Sequence, residues 1–189
     1  MTLRIFVVLS FLTAAFLAPI SAQSAQLSCS DNSFYLPNAE ITRSEGSDYV
    51  RHEFAYQQDG SYWTGVVFEF GEDALQNERL KAINRADQGK ALSLKLADVT
   101  QRNMLDSGIY KQVSGLQTHQ IDQRTIITFE AIFEDDKDIY AVYGRWNDGQ
   151  LQFFRTHTQV KVSSEIAAQT KAAAHSLADI VKNCSFHEA

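Results

Sequence analysis

The side chains best suited to acid–base or metal chemistry near neutral pH are five histidines, His52, His119, His157, His175 and His187, widely spaced along the chain. His52-Glu53 opens the His-Glu-x-x-His signature, in which two imidazoles one helical turn apart hold zinc, but the second position is Tyr56. The surrounding residues read as a strand, where a four-residue spacing would spread two ligands by ~13 Å, so zinc proteolysis is set aside. His157 is the histidine to follow. The strand pairing expected for its segment places it opposite Tyr140 and two positions beyond Arg155, and an imidazole beside a phenol and a guanidinium is a candidate anion-binding group or general base. The plainer outcome is a histidine at the open end of a sheet, satisfied by water or backbone. His52 is expected opposite Val67 with Glu69 diagonally adjacent, a pairing that acid–base chemistry uses and that structural hydrogen bonding uses more often.

Other reactive constellations are missing from the sequence. It holds no Gly-x-Ser-x-Gly elbow and no Ser-x-x-Lys with the partner motifs of penicillin-recognising enzymes. Asp135, Asp136 and Asp138 crowd a turn, which solvation explains better than a glycosidase pair or a calcium loop lacking its terminal glutamate. Without Gly-x-Gly-x-x-Gly or a Walker sequence there is no cradle for a nucleotide, so no cofactor and no metal are expected.

The leader bears on where any such chemistry operates. Arg4 precedes an apolar run from Ile5 to Ala18, about 14 residues and short of the ~20 a spanning helix needs, with Pro19 and small residues behind it. Residues 1–25 read as a secretory signal peptide cleaved after Ala22 or Ala25, and residues 26–189 as a single α+β domain, periplasmic or secreted. Beyond the leader, 16 basic and 23 acidic side chains remain, a net charge of −7. That balance lacks the basic footprint of nucleic-acid binding, and no further apolar run reaches membrane-spanning length. Cys29 and Cys184 are expected to form a disulfide clasping the chain end to end. Gln26-Leu27-Ser28 is a poor lipobox for Cys29, and the Cys-x-x-Cys spacing of a reactive or metal-binding pair is lacking.

The elements that must position these residues follow from periodicity. Tyr49–Tyr56 and Tyr62–Phe70 flank Asp59-Gly60 as a β-hairpin. A helix is expected from Gly71 to Gly89, then a strand over Ala91–Leu96 from the alternation of Leu92, Leu94 and Leu96, a turn or short helix from Asp98 to Gly108, and a strand over Tyr110–Val113. Arg124–Thr158 reads as a three-stranded antiparallel meander, pairing Glu134 with Ile139 and Asn147 with Gln150. One surface collects Ile127, Phe129, Ala131, Phe133, Tyr140, Val142, Trp146, Leu151 and Phe153 as core. The other collects Thr128, Glu130, Ile132, Tyr143, Arg145, Gln152, Phe154 and Thr156, a mixed set suited to water or a partner. After a cap at Ser163 or Ser164, an amphipathic helix running to about Asn183 is expected to cover the core surface.

The fold class is therefore α+β: one largely antiparallel sheet, an N-terminal hairpin plus a meander, a long C-terminal helix across one face and a helix inserted after the first hairpin. The order is similar to several folds that end in a helix on an antiparallel sheet, among them helix-grip and photosystem P-protein-like domains, and no motif selects one. The functional expectation is a non-catalytic binding or interaction protein of the cell envelope, holding a small apolar ligand or a protein partner. His157, Arg155, Tyr140 and His52 are its candidate binding residues. The alternative is a small extracytoplasmic hydrolase or other enzyme using His157 or His52.

Overall fold

The computed structural model describes residues 25–30, 40–45, 49–58, 60–70, 90–134, 136–147, 150–161 and 166–188. Residues 1–24 of the expected leader and the helix expected over 71–89 lie outside the described residues. Among those described, the strands are β1 (Ala25–Cys29), β2 (Glu40–Glu45), β3 (Tyr49–Gln58), β4 (Ser61–Phe70), β5 (Gln112–Val113), β6 (Gln117–Ile121), β7 (Arg124–Phe133), β8 (Asp136–Asn147), β9 (Gln150–Lys161) and β10 (Cys184–Glu188). The helices are α1 (Lys90–Asp106) and α2 (Ile166–Asn183). The strands form one antiparallel sheet in the order β10-β1-β2-β3-β4-β9-β8-β7, with β5 and β6 both paired to β7. The architecture is α+β, as the sequence pattern predicts.

The β3–β4 hairpin turns at Gly60, whose positive φ of 76° a glycine adopts without steric cost, and His52 lies opposite Val67. The β8–β9 turn pairs Asn147 with Gln150, the expected register. The β7–β8 turn is tighter than expected. Phe133 pairs with Asp136, so partners shift by four residues and Glu130, not Glu134, lies opposite Ile139. An even shift leaves every side chain on its expected face, because the strand period is two.

Residues 90–106 form a single helix, which corrects the strand expected over Ala91–Leu96. Leu92, Ser93, Ala97, Thr100 and Met104 are its buried positions, a helical stripe that a six-residue window cannot separate from alternation. This helix covers the surface of Ile127, Phe129, Ala131, Tyr140, Val142 and Phe153. A Cβ on Gly144 would sit 3.1 Å from Leu92 Cγ and closer to Leu96, so the glycine is what lets α1 approach β8. The Gly144 backbone N–H donates to Ser93 Oγ at 3.1 Å.

Helix α2 lies on the opposite surface, a second correction. It packs on Phe54, Tyr56, Trp63, Val67, Ile126, Ile139, Ala141 and Phe154, so much of the surface expected to face water is core as well. Thr128, Glu130 and Thr156 are buried there, and Glu130 pairs with the buried Lys137 at 3.6 Å. On α2, buried positions from Thr170 to Val181 occupy more than half of the circumference at 100° per residue. The sheet curls around the helix: Tyr56 of β3 meets Ser176 at 2.6 Å on one flank, and Thr170 donates to Gln117 of β6 at 3.1 Å on the other.

Cys29 and Cys184 are disulfide-bonded across directly paired positions of β1 and β10. The Ser30 N–H also donates to the Asn183 carbonyl at 2.9 Å. No described helix is long and apolar enough to cross a membrane. The disulfide is compatible with a protein that folds outside the cytosol.

Candidate functional site

Four strands bring the principal cluster together on the α1 side of the sheet. Register places Phe129, Tyr140, His157 and Thr64 in one row across β7, β8, β9 and β4. Their rings stack in sequence, Phe129 on Tyr140 at 5.1 Å and Tyr140 on His157 at 5.0 Å. Thr64 Oγ1 lies 2.8 Å from Nδ1 and 3.0 Å from Nε2 of His157. One strand position along each of β8 and β9 on this face lie Asp138 and Arg155. Tyr110, in the connection from α1 to β5, reaches back so that its hydroxyl meets the Tyr140 hydroxyl at 2.8 Å and donates to Asp138 Oδ2 at 3.0 Å.

The expected trio Tyr140, Arg155 and His157 therefore does meet. Asp138 and Tyr110 were not anticipated beside it. Asp138 belongs to β8 instead of a solvated turn, and it accepts from both phenols; a tighter turn would have put it on the Tyr140 face, two residues away. Tyr110 had no local signal, since only the path of the chain after α1 delivers it.

Burial dominates the electrostatics of the cluster. Burial pushes His157 below the usual imidazole value, with Asp138 opposing and Arg155 adding to the shift, so the ring is neutral at neutral pH and accepts from Thr64. Burial raises the Tyr140 and Tyr110 hydroxyls, which stay protonated and able to donate. Asp138 Oδ2 accepts from both phenols, and among the described residues no hydrogen bond joins Asp138 to the imidazole.

Arg155 Nε is one of several shielded side-chain atoms of the described residues that find no hydrogen-bond partner, and among those residues the guanidinium makes no ion pair. Arg51 of β3 lies near enough for each charge to sense the other, and burial followed by Arg155 lowers its pKa. Arg51 pairs with Glu53 and sits over the Phe68 ring at 5.8 Å. Phe68 stacks on Phe153 at 5.8 Å, so aromatic rings stand on both sides of Arg155 along β9.

His52 lies on the other surface, apart from this cluster. It is buried, its Nε2 is 3.3 Å from Glu69 Oε2, and Gln152 donates to Glu69 while accepting from Arg145. The expected His52–Glu69 pair is present as part of this polar chain. Folding also brings His119 of β6 and His175 of α2 to one open cleft of about 440 Å³ with Lys171. His119 bonds Thr128 at 2.8 Å, and its pKa is lowered by burial, then by His175 and Lys171. The side chain of His187 lies outside those described. Among the described residues, no group of three or more His, Cys, Asp or Glu is placed to hold a metal ion.

The two depressed histidines contribute to the loss of stability in acid. A folded pKa below the unfolded value near 6.5 means that the unfolded chain binds more protons, so this contribution is complete above that value and declines as pH falls below it. Urea midpoints measured from about pH 7.5 to about pH 5.5 should fall on acidification, and His157→Gln together with His119→Gln should flatten the slope. A slope unchanged in the double variant would refute the assignment.

Comparison with protein-family models, with curated proteins and with solved structures gave no match. Fold and site together define the class: a disulfide-clasped α+β sheet protein carrying an aromatic-walled, unpaired guanidinium on the face that α1 partly covers.

Proposed function

We propose that this chain is exported and works outside the cytosol as a non-catalytic binding protein of the cell envelope, holding a small, largely apolar ligand beside Arg155, Tyr140 and His157. The observation that carries this reading is the shielded Arg155 Nε without an acceptor, set between two pairs of stacked rings. A buried polar group left unmatched costs about 1–3 kcal/mol, more when charged, and a bound ligand would remove that penalty. Export is supported by the leader and by the disulfide. Because β1 begins at Ala25, cleavage after Ala22 would spare its pairing with Ile41 and Glu188.

The enzyme alternative would use His157 or His52. It has less support, because the hydrogen bonds of Asp138 go to the phenols and His52 lies within the Glu69 chain. Tagged protein purified from periplasmic extract and examined by native mass spectrometry should carry a small-molecule adduct or a captured envelope protein. Neither appearing under several growth conditions would count against the binding reading. An activity abolished by His157→Ala or His52→Ala would replace it.

A further inference from the structure

Resting on that binding reading, we propose that the ligand is a monocarboxylic acid with a flat or hydrocarbon body, its carboxylate paired with the Arg155 guanidinium and its body against the flanking rings. Arginine presents a planar fork of donors that matches a carboxylate in two parallel hydrogen bonds, and here that fork is unused. Charge sets the valence. Arg51 is already matched by Glu53, and Asp138 on the same face accepts from two phenols, so among the described residues neither carboxylate pairs with the Arg155 guanidinium.

One carboxylate matches the single guanidinium fork. A dianion such as a phosphate monoester would bring a second negative charge that the single guanidinium does not match. The surroundings set the body of the ligand. Phe153 precedes Arg155 by two residues and stacks on Phe68, while His157 follows by two and stacks on Tyr140, so the guanidinium stands between ring pairs that suit apolar or aromatic groups. Neither a free inorganic anion nor a sugar would use those rings as well as a carboxylate attached to hydrocarbon.

The probes are benzoate and hexanoate, their uncharged amides benzamide and hexanamide, and phenyl phosphate, titrated into the intact mature protein by calorimetry and by thermal shift. Both acids should bind, and each amide should bind about tenfold or more weakly, because a hydrogen bond to a charged group is lost. Arg155→Met should lose the acids by a similar factor and cease to distinguish acid from amide, while Arg155→Lys should recover part of the affinity. The acid–amide comparison is made on the wild type, so it decides the matter even if Arg155→Met fails to fold.

Phenyl phosphate binding more tightly than benzoate would overturn the monoanion assignment. A neutral or cationic adduct in native mass spectrometry would overturn the carboxylate while leaving the binding function standing. Acids and amides binding equally would exclude Arg155 as the recognition group. Failure of every probe, with no adduct from extract, would remove both readings together.

Discussion

Reducing the Cys29–Cys184 bond, or replacing both cysteines by serine, is expected to lower stability by about 2–5 kcal/mol. The loop-closure argument gives about 5 kcal/mol for a bridge spanning 155 residues, the upper end of that range. Local attachment shapes how the loss appears. β10 pairs with β1, and among the described residues β1 pairs with β2 through Ala25 and Gln26, so the disulfide and the Ser30–Asn183 contacts add to a short ladder at this end of the sheet. Urea unfolding with and without reductant should show the lower midpoint. Hydrogen exchange should show amides of residues 25–29 and 184–188 losing protection before those of β7, β8 and β9. An unchanged midpoint under full reduction would show that the bridge does not brace the fold.

Phe129→Ala should cost about 3–5 kcal/mol, because a fully buried ring is lost from the α1 side of the sheet together with its stacking on Tyr140. Leu177→Ala, fully buried on the α2 side, should cost about 2–5 kcal/mol. The sheet separates the two sites, and the two residues belong to distinct apolar clusters. The double variant should therefore lose nearly the sum, within about 0.5 kcal/mol. Strong coupling in the double-mutant cycle would mean that the two surfaces do not pack as independent cores. Phe129→Ala should also weaken ligand binding at Arg155, since Tyr140 loses the ring that braces it.

Much of the framework was legible because it is local. Alternating residues identified β3, β4, β7, β8 and β9; Gly60 marked a hairpin turn; and the long apolar stripe after residue 165 marked α2. Strands β1, β2, β6 and β10 carried no comparable signal. The β6–β7 turn uses Asp122 and Gln123, both at positive φ, where a glycine-based hairpin rule finds nothing to read. For the candidate site, the meeting of Tyr140, Arg155 and His157 was legible from strand register alone. The isolation of Arg155 and the arrival of Tyr110 were not.

The chain's own pattern determined which side chains share a surface of the sheet, because backbone geometry fixes a period of two, and even a four-residue slip at the β7–β8 turn leaves that parity intact. It also determined the cysteine pair, there being only two to join. Tertiary structure alone decided that α1 covers the Phe129 surface while α2 covers the Tyr56 surface, and that His119 meets His175. Those choices depend on which apolar faces fit each other once distant segments meet, a competition among packings that no local period encodes.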